Sequence, residues 1–527
     1  MRIMRERCHI RLPRDRGRWT WILLIGLTGL LAKAAAATDW YVAASGSDGN
    51  NCMSALTPCR NIQAAINKAS AGDTIRVADG LYPEATTPGQ PLTVSKTLTL
   101  LGAQHGVDAR GRVALESTVT NPNGTHIAAS NVIIDGFTFQ DSTISAFTGY
   151  GIWTGTGTTG TQILNNVIQN NIAGIGFSNT GASLVLIWHN QIQNNNALGS
   201  ASGSGVYTDQ FVGGGAVSNV LILENWFKGN SDAGIDVSNT DAAHPISNID
   251  VSTNSFDQNG RALVLFNTHT SSIHSNTIAN CTLAGSAAIR LFDNNSALSI
   301  MNNNLVNGVG YAIHLSDLHL VNLAGAPSSN VVINKNNIGT TGSTSFPLDG
   351  LLVDFGSHIG TVNAQCNWWG SPTGPMAASN PGGTGEKVEG DANFTPWWTT
   401  PSQTTACPAQ CETGDSDGEF EDRNSGDRHH EKVHHASCET DGGSVEDDDL
   451  DSGKHFQSTS VDSGTFTSDT NSRTLTMIGT GIHDGVPVGF TMIAVDNGGL
   501  APGVFTLILS DGYKITGSLL SGTMVIQ

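Results

Sequence analysis

Between Asn131 and Gly370 the apolar positions fall in short period-two runs broken by Gly, Asn and Ser. No stretch there keeps a helical period of about 3.6. One phrase recurs: an aliphatic residue, two variable residues, Asn, any residue, then Ile, Phe or Leu. It reads Ile163-Leu164-Asn165-Asn166-Val167-Ile168, returns around Asn190, Asn225, Asn254, Asn276, Asn303 and Asn336, and closes more loosely at Ala364-Gln365-Cys366-Asn367-Trp368-Trp369. The steps run from 22 residues (Asn254 to Asn276) to 35 (Asn190 to Asn225). A self-similar unit of this size predicts a solenoid, and the period-two runs make it a solenoid of strands. One Asn per coil predicts a ladder of stacked amides. Because Asn tolerates the left-handed region, the same residue is expected to turn the chain. A second phrase follows about one strand later, as in Ala173-Gly174-Ile175, Ser204-Gly205-Val206, Ala233-Gly234-Ile235 and Ala287-Ala288-Ile289. Its small residue marks a tight turn and its aliphatic residue starts the next buried strand.

The ends of this region read differently. Ile62, Ala65 and Ile66 share one face of a short helix, ahead of the strand Asp73-Thr74-Ile75-Arg76-Val77. A solenoid end exposes apolar side chains and unpaired edges, so a helical cover over residues 38–110 is expected. At the other end Cys366-Asn367-Trp368-Trp369-Gly370 reads as two Trp covering the last coil, with an aromatic sugar platform as the other reading. Taken together, the repeated phrases, the Gly-Asp-Thr-Ile and Gly-Leu-Tyr runs of the cap and the Asn-Trp-Trp-Gly exit resemble the right-handed parallel β-helix of the pectate-lyase-like superfamily. The resemblance carries the fold and no reaction. Asn239-Thr240-Asp241 matches the first motif of polygalacturonases, but their later motifs are missing. The Asp-Pro-His-Asp motif of alginate epimerases is also missing, and Val353-Asp354-Phe355-Gly356 shares only a fragment of a pectin methylesterase motif.

Composition changes the picture at the two ends of the chain. Of 527 residues, 62 are Gly and 13% are charged, which suits a solenoid with many turns. Residues 1–37 have an Arg-rich start, an apolar run from Trp19 to Leu31, and Ala34 to Ala37, and read as a signal peptide; an uncleaved anchor is the alternative. That segment holds eight of the Lys and Arg and two acids, so with a net charge of −20 the remaining chain carries −26. Such acidity argues against nucleic acid or an anionic membrane as partner and is compatible with cations, calcium among them. The expected location is outside the cell or on its surface, with no transmembrane segment once the signal is removed, and the expected state is a monomer. Cysteine usage fits export: Cys52 and Cys59 are the expected staple of the cap, and Cys366 is a candidate partner for Cys407 or Cys411. An odd count leaves one thiol over, with Cys281 as a core residue and the pairing of Cys438 open.

Residues 38–411 are thus assigned to the β-helix. From Glu412 to Asp462, 16 acidic residues stand against four basic ones with few large apolar residues, which predicts a disordered spacer. His429-His430 and His434-His435 within it raise metal capture as a second reading. Residues 463–527 regain strand patterning around His483-Asp484-Gly485 and Asp511-Gly512, so a small antiparallel module, sandwich-like, is expected. The fold class is all-β: a right-handed parallel β-helix with a helical cap, plus this module.

Candidate chemistry lies where the repeat stops repeating. The position after the aliphatic residue of the second phrase should face outward and stack from coil to coil. It reads Trp153, Gly176, Tyr207, Asp236, Val264, Arg290, His314 and Leu352. Asp236, Arg290 and His314 are the catalytic candidates. Trp153, Tyr207, Lys228, Arg261 and Asp293 are candidates for holding a saccharide. Elimination from a uronic acid needs a base and a cation beside the carboxylate, and Lys228, Arg261, Arg290 and Lys335 are the non-His bases between Leu115 and Glu386. Asp236 with Asp209 or Asp293 would instead make a hydrolytic pair. With no complete motif, the sequence reading prefers a protein that binds polysaccharide or a surface glycan along its long face. A lyase, epimerase or hydrolase is the alternative. No cofactor is fixed by either reading, and a need for calcium stays open.

Overall fold

The computed structural model describes residues 37–526 apart from 85–88, 145–148, 317–325, 341–344, 402–412, 438–441, 469–471 and 498–500. The expected signal segment and the cysteines Cys407, Cys411 and Cys438 therefore lie outside the described residues, Ala37 excepted. Three long parallel sheets of 13, 12 and 10 strands wind around one core, and a closed eight-stranded antiparallel barrel follows. Through the body of the solenoid each coil adds one strand to each sheet in a continuous register, with one shift at Pro375–Met376 near the exit. Ile163 pairs Ile187, which pairs Ile222, which pairs Val251. Ile273, Ile300 and Ile333 continue that buried column. Each buried aliphatic side chain contributes about 1.5–3 kcal/mol, so a column of identical positions is what holds the coils in step.

The predicted ladder is present from Asn166 through Asn190, Asn225, Asn254, Asn276, Asn303 and Asn336 to Asn367. From Asn190 onward each Oδ1 accepts from the side-chain amide and the backbone N–H of the Asn one coil earlier, as Asn190 does from Asn166 at 3.2 and 2.9 Å, while Asn166 accepts from the N–H of Phe137. The expectation that these Asn turn the chain is corrected. The left-handed residue is the one before each of them: Asn165, His189, Glu224, Thr253, Ser275, Asn302, Lys335 and Cys366 all have positive φ. The ladder Asn is free to point inward because its neighbour takes the bend. A second ladder, unforeseen, joins Asn171, Asn195, Asn230 and Asn259 at the next corner. Cys281 stands on the following coil as a buried free thiol, close behind the left-handed Asn280.

Helix Ile62–Lys68 covers the start of the solenoid with Ile62, Ala65 and Ile66 buried, as its spacing predicts. The buried Glu84 accepts from the N–H of Gln63 at 3.0 Å, and Cys52 is bonded to Cys59. Cys366 is disulfide-bonded as well. At the exit Trp368 and Trp369 are buried, which makes them a core cover and excludes the sugar platform there. Among the described residues no helix is long and apolar enough to cross a membrane.

The disordered spacer is also corrected. Thr413–Glu421, Arg428–Ala436, Ser444–Asp449 and the start of His455–Ser468 are four staves of the barrel. Asp415, Asp417, Glu419 and Glu421 face out while Gly414, Ser416, Gly418 and Phe420 face in, which is a strand's alternation written in charged and small residues. The outward acids are matched across the strands by His434, 2.6 Å from Asp415, and by His430, 3.0 Å from Asp417. His429 and His435 point inward, so the two His pairs do not converge on one ion. The module is a closed barrel rather than a sandwich, and it has its own core of Phe420, Phe456, Phe490, Phe505 and their neighbours, separate from that of the solenoid.

Candidate functional site

The outward column of the 12-stranded sheet lies in the expected register. Trp153 pairs Gly176, Gly176 pairs Tyr207, Tyr207 pairs Asp236, Asp236 pairs Val264, Val264 pairs Arg290 and Arg290 pairs His314. Asp236, Arg290 and His314 therefore share one face, in two groups separated by the coil of Val264. At about 4.8 Å per strand, Asp236 and Arg290 stand roughly 10 Å apart along the column.

The first group is aromatic and acidic. A cavity of about 450 Å³ is walled by Tyr150, Trp153, Ile172, Tyr207, Asp209 and Phe211. His126 stacks on Trp153 at 4.0 Å, and Tyr150 lies 6.4 Å from Tyr207, ring to ring. Gly176 makes this possible, because a Cβ there would meet the Tyr150 ring at 3.0 Å. On one coil the Tyr207 hydroxyl donates to Asp209 at 2.9 Å, and the backbone N–H groups of Phe211 and Val212 donate to the same carboxylate at 2.9 and 2.7 Å. On the next coil the Ser238 hydroxyl donates to Asp236. Burial is the main cause that pushes the Asp236 carboxyl up to about 7. The Ser238 bond works against it, the negative Asp232 and Asp209 add to it, and Arg261 opposes it. Arg261 itself is tied to Asp232. Asp236 thus carries a transferable proton near neutrality beside an apolar wall.

The second group is cationic. The Arg290 guanidinium donates to Nδ1 of His314, donates to Ser316 at 2.8 Å and lies 5.2 Å over Phe292. Asp354 stands 3.0 Å from Nε2 of His314. Burial lowers the pKa of both Arg290 and His314, and Arg290 pushes His314 down further against the pull of Asp354. His314 is therefore held neutral, with Nδ1 accepting from Arg290.

Two sequence candidates fall elsewhere. Lys228 belongs to the 10-stranded sheet, its ammonium 5.0 Å over Trp226, because the strand that carries it is on another wall of the coil. Asp293 is fully buried at the corner after strand Ala287–Leu291 and does not reach the outer face. Conversely, the sequence reading missed Tyr150 and Phe211. The signals for them were the Gly176 gap in an otherwise bulky column and an exposed Phe in a Gly-rich connection. Among the described residues the cluster with metal-ligand spacing is Glu446, Asp448 and His455, on the barrel and away from this face.

The family described as right handed beta helix region matches residues 96–249 and 216–350. Solved structures with a similar chain path include the pectate lyase Pel9A, 14% identical with a TM-score of 0.38 over 70% of this chain and 82% of that one. A GH136 lacto-N-biosidase from Eubacterium ramulus is 10% identical with a TM-score of 0.38, over 69% and 68%. The catalytic domain of a GH87 alpha-1,3-glucanase with bound nigerose is 12% identical with a TM-score of 0.36, over 69% of each chain. At these values the likeness is one of fold. No curated protein matches the sequence.

Proposed function

We propose that this right-handed parallel β-helix, which resembles the pectate-lyase-like superfamily, binds a polysaccharide along the outward face of its 12-stranded sheet. The observation that carries this reading is the cavity: Trp153, Tyr150, Tyr207 and Phe211 form apolar walls around the hydrogen-bonded carboxylate of Asp209. Sugar rings present C–H faces and hydroxyl edges, and aromatic walls with a fixed acceptor answer both. Export belongs to the same proposal and is supported by the Cys52–Cys59 bond, a pairing typical of oxidising compartments. The test is calorimetry against a panel of neutral and acidic polysaccharides. Trp153→Ala and Tyr207→Ala should each weaken binding at least about tenfold, roughly 1.4 kcal/mol, while Lys228→Ala leaves it unchanged. Binding to none of the panel, or equal binding by all three variants, sinks the reading.

Asp236 favours a second reading, glycosidic hydrolysis. It holds a proton near neutral pH and lies diagonally across one coil from Asp209, whose register partner is Ser238. Strand spacing and rise put their Cα atoms roughly 8 Å apart. In this reading Asp236 protonates the leaving oxygen and Asp209 acts on the opposite side of the sugar. Elimination is less favoured, because Arg290 and His314 are bonded to each other and stand away from the cavity. A reducing-end assay, with absorbance followed for unsaturated product, separates the two chemistries. Activity that survives in Asp236→Asn removes Asp236 from the mechanism.

A further inference from the structure

The outer wall of the 13-stranded sheet should be wet, yet it is not. Leu221, Asp250, Ser272, Ser299 and Val332 form one outward column, and Leu223, Ser252, His274 and Met301 form the next. Ser272, Ser299, Met301 and Val332 are buried, and so is His274. What faces this wall is the barrel. A narrow seam has Ile249, Asp250 and Ser272 on one side and Ile478, Phe490 and Ser510 on the other. Asn302 donates across it to the backbone carbonyl of Asp462 at 3.2 Å. The two hydrophobic cores remain separate, and the seam mixes apolar side chains (Leu221, Ile249, Ile478, Phe490) with Ser, Thr and Asp.

One ionisable group from the barrel crosses this seam. Asp462 is the extra residue of a bulge in strand His455–Ser468, where Val461 pairs Gly479 and Ser463 pairs Ile478 with nothing opposite Asp462. A bulge re-aims the side chain it inserts. Here the carboxylate comes to 3.9 Å from Nε2 of His274, whose other neighbour, Asp250, is at 3.4 Å. One imidazole thus stands between two carboxylates, one from each body. Nδ1 of the same ring lies 3.3 Å from the Ser275 hydroxyl. The register neighbours of His274, Ser252 and Met301, carry no charge, and neither do Phe490, Thr491 and Ser510 of the barrel, which line the seam beside Asp250.

We infer that Asp250, His274 and Asp462 form a proton-controlled latch that holds the barrel against the solenoid wall and lets it go when His274 becomes neutral. With the imidazole charged, the seam contains one cation between two anions. With it neutral, two anions face each other across a half-buried gap, which favours separation. Burial lowers the His274 pKa, but Asp250 and then Asp462 raise it, and the net result is above the ordinary 6.5. Asp250 belongs to the solenoid and acts in both forms, whereas Asp462 comes from the barrel, so its pull on the proton is what docking adds. That advantage is present while the imidazole is charged and is lost as pH rises through the docked value. Burial raises the Asp250 pKa, but His274, Ser252 and Ser272 together hold it below 3.8, so this carboxylate stays charged where His274 titrates.

Small-angle scattering of the full chain, between about pH 5.5 and about pH 9, tests the latch. The largest dimension should increase with pH while the far-ultraviolet strand signal stays constant. His274→Gln should abolish this dependence. Asp462→Asn, which removes the barrel's carboxylate from the seam, should flatten it as well. Asp236 and Glu431 also titrate near neutrality, at about 7, and the His274→Gln chain assigns the effect, since it retains both. Constant dimensions in the parent chain overturn the inference. So does a transition that survives unchanged in His274→Gln, or one that coincides with loss of strand signal.

Discussion

Asp236 carries a cost that its neighbours in the column do not. Its carboxyl shifts from 3.8 to about 7 on folding, chiefly through burial. The folded chain therefore holds a proton that the unfolded chain releases over that interval. Stability from this group falls as pH rises from 3.8 to about 7 and is level above. Asp236→Asn removes the penalty, so at pH 8 it should be more stable than the parent by an amount on the order of 2 kcal/mol, read as a higher melting temperature, and should match it near pH 4. A gain of stability where the chemistry is lost marks a group kept for function. Thr253 is strained for a different reason. It is an exposed β-branched residue at φ 54°, in the row where Asn165 and Asn302 also sit. Thr253→Asn should gain about 0.5–1 kcal/mol in urea denaturation, since Asn tolerates that region. An unchanged midpoint would show that the bend is not strained. At this scale the sequence showed which side chains share the face, because strand periodicity fixes that. It did not show that Arg290 would be spent on His314 and Ser316, or that Asp293 would turn inward at a corner, because both depend on contacts beyond the strand.

Among the elements, the Asn ladder and the Gln row of the 10-stranded sheet look alike and should differ in energy. Asn254 accepts from the backbone N–H and side-chain amide of Asn225 and donates to the Ile222 carbonyl and to Asn276, all out of contact with water. Gln193 donates to Gln169 at 2.8 Å on a half-exposed surface, where water replaces the bond. Asn254→Ala should cost about 3–5 kcal/mol, because each orphaned buried group costs about 1–3 kcal/mol, while Gln193→Ala should cost less than about 1. Denaturant midpoints of the two variants decide it, and equal losses would mean that the ladder is ornamental. The ladder was legible in the sequence because one Asn recurs at one place per coil. The left-handed bend was not, because Glu224, Thr253 and Lys335 occupy it and share no chemistry. What they share is position, set by the inward pull of the Asn that follows.

Across the whole molecule, the solenoid was written plainly and the barrel only in part. A stave reading Asp415-Ser416-Asp417-Gly418-Glu419-Phe420 alternates as a strand should, but a single large apolar residue marks its inner face. Counted as charge alone it looks like a solvated tail. Cross-strand pairing with His430 and His434 makes it a wall. How that wall meets the solenoid leads to a last prediction. The two cores share no residue, so each body should fold without the other. A chain of residues 38–412 keeps every solenoid strand and the cysteines Cys366, Cys407 and Cys411. It should melt cooperatively by circular dichroism. It should also bind more of a fluorescent apolar dye than the full chain, since the wall of Leu221, Leu223 and Met301 would then face water. Failure to melt cooperatively would make the barrel part of the solenoid's own stability. Unchanged dye binding would mean that the barrel leaves this wall open in solution, whatever the protonation of His274.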